Sequence, residues 1–281
     1  MKVKSWNAWV LLSVLITLLA GGAVWFWQGK RPAMDAAVTA RDPDAAELKA
    51  FAGTRMFFGH MSVGSNVISG VAASFATAGL PAPVIVETRD GVPAGHGSLS
   101  HAHMGVNGDP FGKFTDFANV LDGPLGAQVE VALLKLCYAD VVAGSDVEAI
   151  FAAYSATMAE LETRHPSVRF VYSTVPLSTD RGWKSTVKSW IGQNDQMGPA
   201  DNVARQRYNE LIRERYGSSG RLFDIAAVEA TVADAPMQRN AHGQIYYVLN
   251  AALAADPGHL NELGSQLAAG ELIRIVARIS R

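Results

Sequence analysis

The chain has 281 residues, 49% of them hydrophobic and 18% charged, with a formal net charge of −2. That balance excludes an intrinsically disordered chain, and the lack of a basic tract or a Lys/Arg stripe interleaved with aromatics argues against a nucleic-acid partner. A single cysteine, Cys137, excludes an intrachain disulfide.

No charge interrupts the stretch between Lys4 and Lys30, and the run from Trp6 to Trp27 is long enough to span a bilayer as a helix. Trp6, Trp9, Trp25 and Trp27 stand at its two ends, where interfacial tryptophans are favoured. Residues 1–31 are therefore expected to form an N-terminal transmembrane anchor. Gly21-Gly22-Ala23 would serve as the cleavage site of a signal peptide, but the apolar stretch continues past it. The short basic head favours a domain held outside the cytoplasm, at the cell surface or in a periplasm. Residues 32–50, rich in Ala, Asp and Pro, read as a linker to one domain over 51–281.

From there strand and helix patterns alternate. Arg55–Phe58 is a short predicted strand, followed by a helix over Val63–Ala78 with Val67, Ile68, Val71 and Phe75 at helical spacing. Val84–Glu87 is a second strand, and residues 89–112 a long loop dense in Gly, His and Pro. The very apolar run Val129–Leu136 suits the middle of a parallel sheet. A helix capped by Asp146 runs to Arg164, a strand covers Arg169–Thr174, and residues 176–199 form a second long loop. A helix over Ala200–Tyr216, a strand over Arg221–Ile225 and a closing helix over His259–Ile279 complete the chain. The alternation predicts an α/β domain, a three-layer α/β/α sandwich around a mainly parallel five-stranded sheet. Functional sites in such folds lie at the carboxyl ends of the strands, where both long loops belong.

Two short motifs carry candidate chemistry. In Gly59-His60-Met61-Ser62-Val63-Gly64, a serine at the strand-to-helix junction has its own N–H at a helix N-terminus, where the dipole favours a developing oxyanion. A serine there is equally a common N-cap. In Asp256-Pro257-Gly258-His259, a carboxylate three residues before a histidine can accept from the ring and set its tautomer, leaving the other nitrogen as a base. The same residues also read as a helix cap and an incidental first-turn histidine.

The order of the two motifs, serine after the first strand and Asp-x-x-His before the last helix, resembles the SGNH, or GDSL-like, hydrolase superfamily over roughly residues 55–279. The resemblance implies a flavodoxin-like fold and a serine esterase, acyl hydrolase or O-acyltransferase with Ser62 as nucleophile, His259 as base and Asp256 as its orienting acid. It implies an oxyanion hole formed by Ser62 and Gly105, no cofactor, and a small acyl ester or acylated glycan as substrate. Two departures stand out. Met61 occupies the place of the Asp before the nucleophile, and Ala139, in Cys137-Tyr138-Ala139-Asp140, stands where the family has an oxyanion-hole Asn. Loss of such a donor costs roughly 10²–10³ in rate, so Asn107 or Asn66 must substitute or turnover is weak. A domain that has lost turnover and binds a glycan or an assembly partner is the alternative reading. His60, His101, His103 and Asp140 are candidates for a substrate-facing loop, with Asp140 also suited to bracing it.

The loop His96-Gly97-Ser98-Leu99-Ser100-His101-Ala102-His103 supports a third reading, a metallohydrolase using His96, His101, His103 and Asp109, since alternate histidines on an extended segment point the same way. Chance His-x-His patterns weigh against it, and no metal is the expectation. Trp183 and Trp190 suit either sugar stacking or core packing, and Cys137 reads as a small buried residue.

Overall fold

A computed structural model describes residues 41–95, 97–180, 196–233, 235–241 and 243–280. The expected anchor, Trp183, Trp190 and His96 lie outside these. Among the described residues no helix is long and apolar enough to cross a membrane.

The centre is a six-stranded parallel sheet built from β1 (Arg55–His60), β2 (Val84–Glu87), β3 (Ser98–His103), β4 (Val131–Leu134), β5 (Arg169–Ser173) and β6 (Leu222–Phe223), in the order β2-β3-β1-β4-β5-β6. One helical layer contains α1 (Ala45–Ala52), α2 (Ser62–Ala78) and the closing helix α7 (Glu262–Ile279), with the short α6 (Ile225–Ala230) beside α7. The other holds α3 (Pro110–Asp122), α4 (Val147–Arg164) and α5 (Pro199–Tyr216). The expected three-layer α/β/α architecture holds, with one strand more than the five read from the sequence. On the α3/α4/α5 side Phe57, Phe117, Phe170, Tyr154 and Tyr208 form a fully buried core.

The extra strand is β3, which falls inside the stretch read as a loop. Its sequence, SLSHAH, offers no apolar run. The strand is buried because small residues, Ser98, Ser100 and Ala102, fit between neighbours that already carry the bulk. Gly97 admits it, since a Cβ there would meet the Gly53 and Thr54 backbone at 2.4 Å. The stretch read as linker also needs correction. Asp44 accepts from the Glu47 N–H at 2.9 Å and Glu47 accepts from the Asp44 N–H at 2.8 Å, a capping box that starts α1.

The chain leaves β1 toward β3 on one side and β4 on the other, so the order reverses at the carboxyl end of β1. Open α/β sheets form their ligand crevices at such switch points, and Ser62 lies two residues beyond β1.

Candidate active site

Met61, extended at φ −128° and ψ −165°, is the cap residue of α2, and no side chain caps that helix. Ser62 is therefore its first helical residue, not its N-cap, which leaves the hydroxyl free for other work. Its N–H, in the first turn of a 17-residue helix, has no intrahelical acceptor. Gly64 makes the tight entry possible. Its N–H donates to the Met61 carbonyl at 2.7 Å, and a Cβ there would lie 2.3 Å from that of His60.

His259 reaches the same point from the other end of the sequence. It precedes α7, whose cap is Asn261 accepting from the Gly264 N–H at 2.9 Å, so neither Asp256 nor His259 belongs to the helix end as the sequence suggested. Asp256 and His259 instead face each other across a short antiparallel bridge, β7 (Ala254–Asp256) with β8 (His259–Leu260), the last of three small antiparallel strand pairs after α6 among the described residues. The Gly258 N–H donates to Asp256 Oδ1 at 2.9 Å, and His259 Nδ1 lies 2.9 Å from both Asp256 oxygens. His259 Nε2 is 3.0 Å from Ser62 Oγ. A carboxylate accepts only, so Nδ1 carries the proton and Nε2 presents a lone pair to the serine hydroxyl. Partial burial pushes the Asp256 carboxyl up, but the Gly258 N–H and His259 outweigh it and hold it below its ordinary range. The turn is tied down at two points. The Thr179 N–H donates to the Pro257 carbonyl at 2.9 Å, and Gly258 passes so close to Tyr138 that a Cβ would sit 2.7 Å from the ring. The edge of Tyr138 in turn meets the His259 ring at 6.2 Å between centroids.

The remaining candidates separate. The Gly105 N–H donates to Asp116 Oδ2 at 2.8 Å, so the amide expected in the oxyanion hole is already engaged by a carboxylate on α3, a helix the sequence reading did not include. Asn107 is exposed and accepts at Oδ1 from Lys113 Nζ at 2.9 Å. Asp140 is 3% exposed and therefore no substrate contact. It accepts from Lys113 Nζ at 2.6 Å, from the Gly108 N–H at 2.8 Å and from the Cys137 N–H at 2.6 Å, a brace between two loops. His60, at 1% exposure, likewise faces inward. Its Nδ1 donates to the Met61 carbonyl at 2.8 Å, and its Nε2 accepts from His101 Nδ1 at 3.1 Å. Burial pulls His60 down to about 3, with the neighbouring Lys135, His101 and His103 adding to the shift and the bond to the Met61 carbonyl opposing it, so it supports the backbone before Ser62 as a neutral ring. His101 is half-buried, and His103 is exposed with Nδ1 3.5 Å from Glu87. Cys137 is buried.

Two of the metal candidates, Asp109 and His101, are otherwise engaged. Asp109 caps α3 by accepting from the Gly112 N–H at 2.9 Å, and His60 and His101 bond each other. Among the described residues no group of three or more His, Cys, Asp or Glu could hold a metal ion.

Beneath the carboxyl edge lies a layer of buried charge that sequence reasoning missed. Lys113 and Lys135 are both fully buried, as is Arg205, which donates to the carbonyls of Tyr138 and Val141 at 2.9 and 3.1 Å and braces the loop after β4. Burial lowers Lys135 to about 8 and raises Glu229 to about 8. The one legible signal was Lys135, a lone charge inside the apolar strand sequence VEVALLKL.

No protein-family model matches the chain, and no curated protein matches it in sequence. Similar solved structures include a candidate platelet activating factor from Streptococcus pneumonia, with 11% identity and a TM-score of 0.48 over 84% of this chain and 85% of that one. Another is a candidate lipolytic protein of the G-D-S-L family from Desulfitobacterium hafniense DCB-2, with 12% identity and a TM-score of 0.46 over 79% of this chain and 99% of that one. A third is the periplasmic domain of a lipopolysaccharide acetyltransferase from Salmonella ser. Paratyphi A, with 13% identity and a TM-score of 0.42 over 79% of this chain and 83% of that one.

Proposed function

We propose that this chain is a serine hydrolase or O-acyltransferase that cleaves ester-linked acyl groups through Ser62, His259 and Asp256. One observation carries the reading. Residues 197 positions apart meet with Ser62 Oγ 3.0 Å from His259 Nε2, while the other ring nitrogen lies 2.9 Å from both Asp256 oxygens. Ser62 Oγ attacks the ester carbonyl carbon as its proton passes to Nε2, and Asp256 stabilises the imidazolium without taking a proton. The tetrahedral oxyanion faces the Ser62 N–H at the start of α2 and the Asn107 amide. Collapse expels the alkoxide, which takes the proton from His259 and leaves an acyl-serine. Water or an acceptor hydroxyl, deprotonated by Nε2, then attacks the acyl carbon and regenerates Ser62. The apolar N-terminal stretch supports a membrane-tethered, extracytoplasmic location, which makes acylated envelope glycans or lipids the proposed substrates.

The test is labelling of the full-length chain with a fluorophosphonate, comparing wild type with Ser62→Ala and His259→Ala, each with and without a chelator. Wild type is expected to label at Ser62 regardless of chelator, Ser62→Ala not at all, and His259→Ala at least ~100-fold more slowly. A folded wild type that never labels overturns the proposal. The engagement of the Gly105 N–H by Asp116, with Ala139 in place of the expected Asn, favours a second reading, a domain that binds an acylated ligand without turning it over. Binding of an acylated sugar by an unlabelled wild type would select it.

A further inference from the structure

Lys113 is a buried ammonium whose hydrogen bonds are unequal in purpose. Its partner Asp140 is also fully buried, at 2.6 Å, and already receives the Gly108 and Cys137 N–H groups. Together they join α3 to the loops after β3 and β4, the two strands that flank β1. The further bond, from Lys113 Nζ to Asn107 Oδ1 at 2.9 Å, reaches an exposed side chain. Lysine has donors only, so the assignment of oxygen and nitrogen in the Asn107 amide is forced by chemistry: the oxygen faces the lysine and the NH₂ faces away from it. An exposed side chain needs no such anchor for folding, because water would satisfy it. What the anchor adds is a direction for two N–H donors on the sheet edge that carries Ser62.

We infer that Lys113 is a positioning residue that holds Asn107 as the side-chain donor of the oxyanion hole, so that this donor comes from the loop after β3, while the loop after β4, with Ala139, supplies only the brace. The inference rests on the serine-hydrolase reading and adds to it the residue that aims the donor. It also accounts for Asp140 being buried beneath the site, since its charge is what keeps an ammonium there.

The test follows phosphonylation kinetics in the full-length chain, where the Ser62 hydroxyl displaces fluoride from phosphorus, its proton passes to His259, and the phosphoryl oxygen takes the oxyanion's place. Asn107→Ala is expected to lower the maximal labelling rate constant roughly 10²-fold, with half-saturation by the probe within about twofold of wild type. Asn107→Asp keeps the acceptor for Lys113 but removes the NH₂, and it is expected to lose at least as much as the alanine variant. Lys113→Met is expected to slow labelling, and adding it to Asn107→Ala to slow it no further, as for residues that act through one another. Should Lys113→Met not fold, Lys113→Gln takes its place in the same cycle. Recovery of wild-type rates in Asn107→Asp would overturn the inference by making Asn107 a mere latch, and so would losses that multiply in the double variant. Failure of wild type to label at Ser62 would instead bring down the hydrolase reading itself, so the two failures are distinguishable.

Discussion

Ser62 stands at a strand-to-helix turn and Asp256 three residues before His259, so each candidate lies in a short motif whose chemistry is local. The Gly105 amide is engaged by Asp116, which lies on a helix that the sequence pattern does not reveal. Nor does anything local show that His60, which satisfies the Met61 carbonyl as a turn histidine can, will be sealed beneath its neighbours. That sealing has a measurable consequence. His60 sits at about 3 in the folded protein, against 6.5 ordinarily. The unfolded chain therefore binds a proton that the folded chain refuses between those values. Stability owed to this residue is intact above pH 6.5 and falls at about 1.4 kcal/mol per unit as pH drops toward 3. In His60→Asn, whose amide can keep the bond to the Met61 carbonyl, this term disappears. Urea unfolding from pH 6.5 to 4.5 is expected to show a slope shallower by about one proton, or ~2–3 kcal/mol less loss across that window. Parallel curves would mean that His60 takes up its proton without unfolding.

At the scale of elements, the sequence patterns located the long periodic helices α2, α4, α5 and α7 and five of the six sheet strands, but not α1, α3, α6 or β3. The cap at Asp146 and the apolar faces of α2, α4, α5 and α7 are periodic signals, whereas β3 and the short bridges after α6 depend on what surrounds them. The contact between Ser62 and His259 depends on one pair of elements. α2 begins with Ser62, α7 begins three residues after His259, and the helices approach so closely at Gly70 that a Cβ there would stand 2.1 Å from the Ser265 carbonyl oxygen and 2.9 Å from the Ala269 Cβ. Gly70→Ala must part the helices. Such overpacking costs about 1–3 kcal/mol, which for a domain of this size lowers Tm by ~3–10 °C. Because a misplacement of about 1 Å can cost 10²-fold in rate, fluorophosphonate labelling is expected to slow at least ~10-fold below the melting transition. Ser69→Ala, an exposed neighbour on the same helix, should leave both unchanged. Normal labelling in a destabilised Gly70→Ala would separate the packing of the helices from the alignment of the site.

For the whole molecule, the boundary of the folded domain is the prediction that composition alone got wrong. Ala, Asp and Pro suggested a linker through residue 50, yet the Asp44–Glu47 capping box starts a helix whose Leu48 and Phe51 are buried. Phe51 meets Phe75 of α2 at 6.3 Å between ring centroids, and the Thr54 hydroxyl bonds Ser280 Oγ at 2.9 Å just beyond α7. α1 thus closes the layer formed by α2 and α7, the two helices that flank the site. Withdrawing two buried side chains of this size removes about 3–6 kcal/mol of apolar burial, a large share of the 5–15 kcal/mol typical of a whole domain. A fragment beginning at Arg41 is expected to melt in one transition and to label at Ser62 like the full chain. A fragment beginning at Thr54 should melt ~10 °C lower or fail to fold, and should label more slowly where it does fold. Equal melting of the two fragments would return α1 to the linker. A lower Tm with unchanged labelling would mean that α1 supports the fold without tensioning the contact between α2 and α7. If α1 acts on the site through those helices, the labelling rate must fall together with stability, and it must recover when a peptide of residues 41–53 is added back at concentrations that restore the melting temperature.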